Sequence, residues 1–242
     1  MQGTTQAMEC RSGDAGSQQP TIRSFRPPTP RDALDLLEQF GTTIVVQRDK
    51  EIHGQGEQAS SCFRILSGCV RMVKLMEDGR RQIGEFLMAG DLLGFDALDT
   101  HVFAAEAVTD VVLRRYPRRM VDALAESNTA LARRLRNLTS VSLRMAHARL
   151  LLLGRKTASE RIATFLLEMA ERLPMGAARA HAHVMDLPMS RTDMADHLGL
   201  TIETVCRVLA HLRRDGTIAI ERGSVEIYDI AGLQQMASGP RH

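Results

Sequence analysis

The stretch Ser190-Arg191-Thr192-Asp193-Met194-Ala195-Asp196-His197-Leu198-Gly199-Leu200-Thr201-Ile202-Glu203-Thr204-Val205-Cys206-Arg207-Val208-Leu209-Ala210-His211-Leu212-Arg213-Arg214 holds two short amphipathic segments separated by one glycine. Ser190 with Asp193 three residues on is a capping-box-like helix start. Gly199 supplies the left-handed residue that ends a helix at a tight corner. Thr201 caps a second helix, whose Val205, Val208, Leu209 and Leu212 face inward against Met194, Ala195 and Leu198. After Gly216, Ile218-Ala219-Ile220 and Val225-Glu226-Ile227-Tyr228 alternate around Arg222-Gly223-Ser224, which reads as a hairpin. Two short helices at a glycine corner followed by a hairpin make a winged helix-turn-helix.

On the second helix the residues left over from packing are Ile202, Glu203, Cys206, Arg207 and Ala210. Glu203 and Arg207 lie four apart and share a face. A solvated ion pair is one reading of such a pair. At the first turns of a recognition helix, arginine can instead bond guanine O6 and N7, and glutamate can accept from cytosine N4.

Upstream the texture differs. Residues 1–30 are rich in Gly, Ser, Gln, Thr and Pro, too poor in apolar groups to offset ordering entropy, and read as a disordered tail. Apolar residues at 33, 34, 36, 37 and 40 predict a helix that Gly41 stops. Short β-branched or alternating runs follow at 43–46, 62–66, 70–75, 82–87 and 108–113. Gly54, Gly56, Gly68, Gly79, Gly90 and Gly94 separate them, a pattern of antiparallel strands in a sandwich or barrel. After Pro117 the period becomes that of a coiled coil. Leu124, Asn128, Leu131, Leu135, Leu138, Ser142, Met145, Arg149 and Leu152 fall on one a/d seam. This predicts a single long helix pairing with its own copy through Leu124, Leu131, Leu135, Leu138, Met145 and Leu152, with Asn128 fixing register. Packing along the chain's own β domain is the competing arrangement. The expected organisation is therefore α+β: tail 1–30, an antiparallel β-roll at 31–116, a dimerisation helix at 117–153 and the winged helix-turn-helix at 154–242.

Composition narrows the classes. The chain has 242 residues, 44% hydrophobic and 25% charged, with no Trp and a net charge of +2. The mix is that of a globular protein and the charge is too mild to identify a partner. Between 190 and 223 five arginines meet five acidic residues, whereas 127–159 carries seven basic residues and no acid. No run approaches the roughly 20 apolar residues of a membrane span, and the N-terminus lacks a secretory signal pattern. Four cysteines, at 10, 62, 69 and 206, show no CxxC and no scaffold density. They point to a reducing compartment, the cytoplasm. No nucleophile elbow, phosphate loop, HExxH or carboxylate pair supports an enzyme. His181-Ala182-His183 is too weak a pattern to assign a metal.

The string Met189-Ser190-Arg191-x-Asp193-Met194-Ala195-x-x-Leu198-Gly199-Leu200-Thr201-x-Glu203-Thr204-Val205-x-Arg207 resembles the DNA-recognition signature of the CRP/FNR transcription regulators. Gly90-Asp91-Leu92-Leu93-Gly94-Phe95-Asp96-Ala97 is similar to the β-roll motif of that family's FNR and FixK branches, and Ala158-x-Glu160-Arg161-Ile162-Ala163-x-Phe165 to its first helix after the dimer helix. The resemblance implies a cyclic-nucleotide-binding-like jelly roll and a homodimer on a TTGA-N6-TCAA-type site, activating transcription by recruiting RNA polymerase in the response to low oxygen. Glu203 and Arg207 would be base readers, with Cys206 standing where those branches carry Ser. Ser190, Arg191, Thr201, Thr204 and Arg222 would hold the DNA backbone, and Ile83, Gly84, Glu85, Phe95 and Asp96 would contact polymerase. Cyclic-nucleotide binders of this family place Glu after the cradle glycine and an Arg-Ser pair some ten residues on. Here Phe95 follows Gly94, and Val102-Phe103-Ala104-Ala105-Glu106 offers neither, so a cyclic phosphate would meet apolar walls and Glu106. The clustered cysteines of an iron–sulfur FNR protein are also missing, and no cofactor is expected. Two alternatives stay open: a small-molecule-gated sensor of the same fold, and a regulator tuned by oxidation of Cys206, which sits beside Arg207 near a helix N-terminus, where a reactive thiolate is favoured.

Overall fold

The computed structural model describes residues 33–95, 99–173, 183–221 and 223–239. The tail with Cys10, and the residues Asp96, His181 and Arg222, lie outside them. A 3₁₀ helix, Ala33–Phe40, opens the described chain and buries Leu34 and Leu37. Eight strands follow: β1 (Thr42–Val46), β2 (Glu51–His53), β3 (Ser61–Ser67), β4 (Cys69–Leu75), β5 (Arg81–Met88), β6 (Leu92–Leu93), β7 (Ala104–Ala107) and β8 (Val111–Pro117). They form two antiparallel four-stranded sheets, ordered β1-β8-β3-β6 and β2-β7-β4-β5. The alternating runs predict antiparallel strands, and their arrangement is the roll that the family resemblance implies. The run at 108–113 is displaced: β8 begins only at Val111 and extends to Pro117, and a strand that the runs do not include, β7, precedes it and ends at Ala107. Between them Val108 donates to the Cys69 carbonyl and Thr109 Oγ1 accepts from the Cys69 amide, so the segment turns and crosses between sheets. At Gly68, φ is +91° and an added Cβ would lie 2.4 Å from the Asp110 carbonyl, so only glycine suits the β3–β4 turn.

The long helix is two helices. α1 (Arg118–Ser127) stops at Asn128, which adopts φ −126° and ψ 101°, and α2 (Thr129–Arg155) begins there. The Asn128 side chain accepts from the Leu131 amide as an N-cap of α2. The predicted seam is covered in part by its own chain, while its member Met145 stays 43% exposed. Leu131 is buried with Leu34, Leu37, Cys62 and Tyr116, and Leu124, Leu135 and Leu138 pack on the same cluster. Leu152 is buried in the C-terminal core. Arg149 is half-buried between Glu168 and Glu85; burial pushes its pKa down and that of Glu168 up. The heptad fits in part because the two ends of this stripe, at Leu131 and Leu152, are buried in the chain's own cores. A second stripe, Thr139, Leu143, Ala146 and Leu150, alternates steps of four and three and is exposed, Leu143 at 57% and Leu150 at 69%.

The C-terminal part is α3 (Ala158–Arg172), β9 (His183–Asp186), α4 (Arg191–Leu198), α5 (Ile202–Arg214), β10 (Ile218–Glu221), β11 (Ser224–Ile227) and α6 (Ile230–Ser238). The hairpin β10–β11 gains a third strand, because β9 pairs with β11. Ile162, Phe165, Leu166, Met194, Leu198, Val205, Leu209 and Leu212 form a core continuous with Val73, Ile83 and Phe86 of the roll. Among the described residues no helix is long and apolar enough to cross a membrane.

Candidate nucleic-acid interface

Local sequence sets the corner. Ser190 Oγ accepts from the Asp193 amide at 3.0 Å while the Asp193 carboxylate accepts from the Ser190 amide at 3.1 Å, closing a capping box at α4. Gly199 ends α4 at φ +62°. Thr201 caps α5, its hydroxyl accepting from the Thr204 amide at 3.2 Å and bonding the Thr204 hydroxyl at 3.0 Å. A helix N-terminus with two hydroxyls beside it suits a phosphate.

One face of α5 is internal: Val205, Leu209 and Leu212 are buried. Glu203, Cys206, Arg207, Ala210, His211, Arg213 and Arg214 are exposed on the remaining surface. The Glu203 carboxyl is held below the usual carboxylate range, first by its own backbone amide and then by the Thr201 hydroxyl, with Arg207 contributing less. It is thus an ionised acceptor beside a fully exposed guanidinium. Ser190 and Thr201 are exposed, and Arg191 and Thr204 partly so. None of these six predicted residues, nor Cys206, is buried in the core.

The predicted polymerase patch is not presented in the same way. Ile83 is 0% exposed, and its carbonyl accepts from His197 Nδ1 at 3.2 Å. An added Cβ at Gly84 would lie 3.0 Å from the Phe103 ring. Glu85 is half-buried facing Arg149, and Phe95 packs on the cluster around Leu34 and Tyr116. Alternation marks β5 as a strand but does not say that its faces are covered by α4 and Phe103.

Sequence reasoning missed Arg161. Its guanidinium donates to Lys156 O at 2.9 Å, Leu153 O at 2.8 Å and Leu198 O at 2.9 Å. It therefore satisfies the terminal carbonyls of α2 and α4 together and complements both dipoles. The only local hint is a basic residue inside a helix, which is common.

A cavity of about 340 Å³ lies between the roll and α2, lined in part by Arg64, Leu92, Leu93, Gly94, Phe95 and Leu138. The residues do not fit a cyclic phosphate. Arg64 is paired with Asp35 and Glu38, Asp91 with Arg172, and Glu106 bonds Arg71 at 2.8 Å instead of facing the cavity as expected. No metal-binding group of three or more ligands occurs among the described residues. Cys62 and Cys69 are buried, and burial pushes the Cys69 thiol up to about 12.

Residues 160–236 match the profile of the Crp-like helix-turn-helix domain, and residues 43–128 that of the cyclic nucleotide-binding domain. The nitrogen fixation regulation protein FixK of Azorhizobium caulinodans is 45% identical over 205 residues, 84% of this chain and 82% of that protein. The chain belongs to the CRP/FNR family of transcription regulators, as a FixK-like member. The transcriptional activator protein FnrA of Stutzerimonas stutzeri is 33% identical over 210 residues, 86% of this chain and 84% of that one. The structure of FixK2 from Bradyrhizobium japonicum superposes with a TM-score of 0.77 at 40% identity, covering 83% of this chain and 99% of that one. These relatives are transcription regulators, not enzymes, and the matched helix-turn-helix domain contains the corner at Gly199.

Proposed function

We propose that this CRP/FNR protein is a homodimeric, sequence-specific activator that reads a palindrome of the TTGA-N6-TCAA type. Each α5 enters a major groove, Glu203 and Arg207 read base edges, and Cys206 lies between them against a neighbouring base. Ser190, Arg191, Thr201, Thr204 and, from the wing, Arg222 hold the phosphates. Two copies join along the exposed stripe of α2, Thr139-Leu143-Ala146-Leu150, which continues the parallel coiled-coil spacing that the covered stripe only imitates. The bound dimer acts in the cytoplasm and recruits RNA polymerase in the response to low oxygen, the role that the FNR and FixK resemblance implies. The single observation carrying the reading is the exposure of Glu203, Cys206 and Arg207 together on a helix whose other face is core. Selection of bound sites from random duplexes tests it: a two-fold-symmetric consensus is expected, and recovery of no consensus overturns it. Leu143→Glu is expected to yield monomers by sedimentation, while a variant that stays dimeric moves the interface elsewhere.

A second reading is favoured by one observation: Cys206 is exposed on this face, while Cys62 and Cys69 are buried. Peroxide passing one oxygen to the Cys206 thiolate and leaving as water would put bulk into the groove. DNA binding by the wild type should then be lost at peroxide concentrations that spare Cys206→Ser; equal loss in both removes redox control.

A further inference from the structure

The helix pair is joined to the roll by a polar cluster whose members lie far apart in sequence. Arg81, the first residue of β5, donates from Nε to Asp196 at 2.8 Å and from Nη2 to Asp193 at 2.9 Å. Arg71 of β4 donates from Nη1 to Asp193 at 3.3 Å. Its Nε bonds Glu106 of β7 at 2.8 Å, and its Nη2 lies 3.5 Å from Asp49. Gln82 Nε2 donates to the Asp196 carbonyl at 2.5 Å, and His197 Nδ1 bonds the Ile83 carbonyl at 3.2 Å. Asp193 is 3% exposed and also accepts from the Ser190 hydroxyl at 2.8 Å. Two guanidiniums from the roll thus converge on one buried carboxylate, and neighbouring carboxylates balance the second positive charge.

Geometry here matters more than energy. A buried ion pair loses solvation comparable to its Coulomb gain, so its main return is a defined arrangement. The guanidinium fork of Arg81 meets both aspartates, which lie one turn apart on α4. α4 is rigidly connected to α5 through Gly199, with Arg161 closing the end of α4. Fixing α4 on the β4–β5 hairpin therefore fixes the direction of α5.

We propose that Arg71 and Arg81 are positioning residues for DNA reading: they lock α4 to the roll so that the two recognition helices of a dimer are presented at one separation. The inference rests on the dimeric DNA reading above. Neither arginine touches DNA; each acts through the orientation of α5.

The test uses full-length protein and three duplexes carrying the selected half-sites with spacers of five, six and seven base pairs. The wild type should discriminate strongly for one spacer, since half-sites must lie one helical turn apart. Arg81→Gln is expected to weaken binding to the preferred spacer about tenfold while changing the other two less than about threefold, so that discrimination collapses. Arg81→Asp should behave likewise, and Arg81→Asp combined with Asp196→Arg should restore the preference, which excludes mere misfolding. Hydrogen exchange on DNA-free protein supplies a second readout: α4 amides should exchange faster in Arg81→Gln, and at the wild-type rate in the charge-swapped protein. A discriminating wild type with an equally discriminating Arg81→Gln overturns the lock alone. Unchanged exchange in Arg81→Gln overturns it as well. A wild type without spacer preference overturns the dimeric reading itself, and the inference with it.

Discussion

α4 and α5 are neighbouring short helices, both rich in charged residues, yet they present their charges in opposite directions. On α4, Asp193 and His197 are buried and Asp196 is half-buried, all three engaged by the roll. On α5, Glu203, Arg207, Arg213 and Arg214 are exposed. The first helix is anchored to the roll, and the second leaves its charges free for the proposed reading of DNA. Charge on a helix acquires a role only from what stands opposite it.

That contrast can be broken or sharpened by substitution. Leu198→Ala, at a fully buried position of α4, should lower stability by about 2–5 kcal/mol in denaturant unfolding through the transfer and cavity terms. Arg207→Ala on α5 should leave the unfolding midpoint unchanged but weaken binding to the cognate duplex by about 1–3 kcal/mol and relax choice at one base pair. Equal weakening on cognate and random duplexes would show that Arg207 holds phosphate rather than reading a base.

The buried His197 gives a pH signature. Burial, then Arg149, holds its pKa at about 3, against an ordinary 6.5. Because a carbonyl can only accept, the imidazole carries its proton on Nδ1 toward Ile83 O. Between those two pKa values the unfolded chain binds a proton that the folded chain does not, so stability rises with pH there. The contribution is complete above about 6.5 and is lost as pH falls toward 3. From pH 6.5 to 5 this amounts to at most about 2 kcal/mol, at about 1.4 per pH unit. His197→Gln should flatten that part of the stability profile; an unchanged slope would place the acid sensitivity elsewhere. The smallest effect is at the corner. Gly199→Ala should cost about 1 kcal/mol, because φ is +62° there and a Cβ would sit 3.4 Å from Leu153.

Much of this molecule was legible in its letters. Ser190 with Asp193, Gly199 and Thr201 mark helix ends through contacts three or four residues away, and the structure has those caps. Alternation and turn glycines marked five of the eight strands of the roll, but not β2, β6 and β7, which have only three, two and four residues. The α2 seam is ambiguous for a definite reason. A seven-residue repeat states that a stripe is apolar, and Leu131 and Leu152 satisfy it by burial in their own chain as well as they would against a second copy. Asn128 suits an N-cap and a coiled-coil core equally, and only the helix break distinguishes them.

The amino-acid order by itself determined what short-range physics can encode: helix caps, strand alternation, the glycine corner and the outward set Glu203, Cys206 and Arg207. Tertiary structure decided which stripe of α2 is covered, that Ile83 is core, and that Arg71 and Arg81 close on a helix 112–122 residues away. Side-chain periods reach only a few residues along the chain, whereas ion pairs and burial depend on which distant surfaces meet.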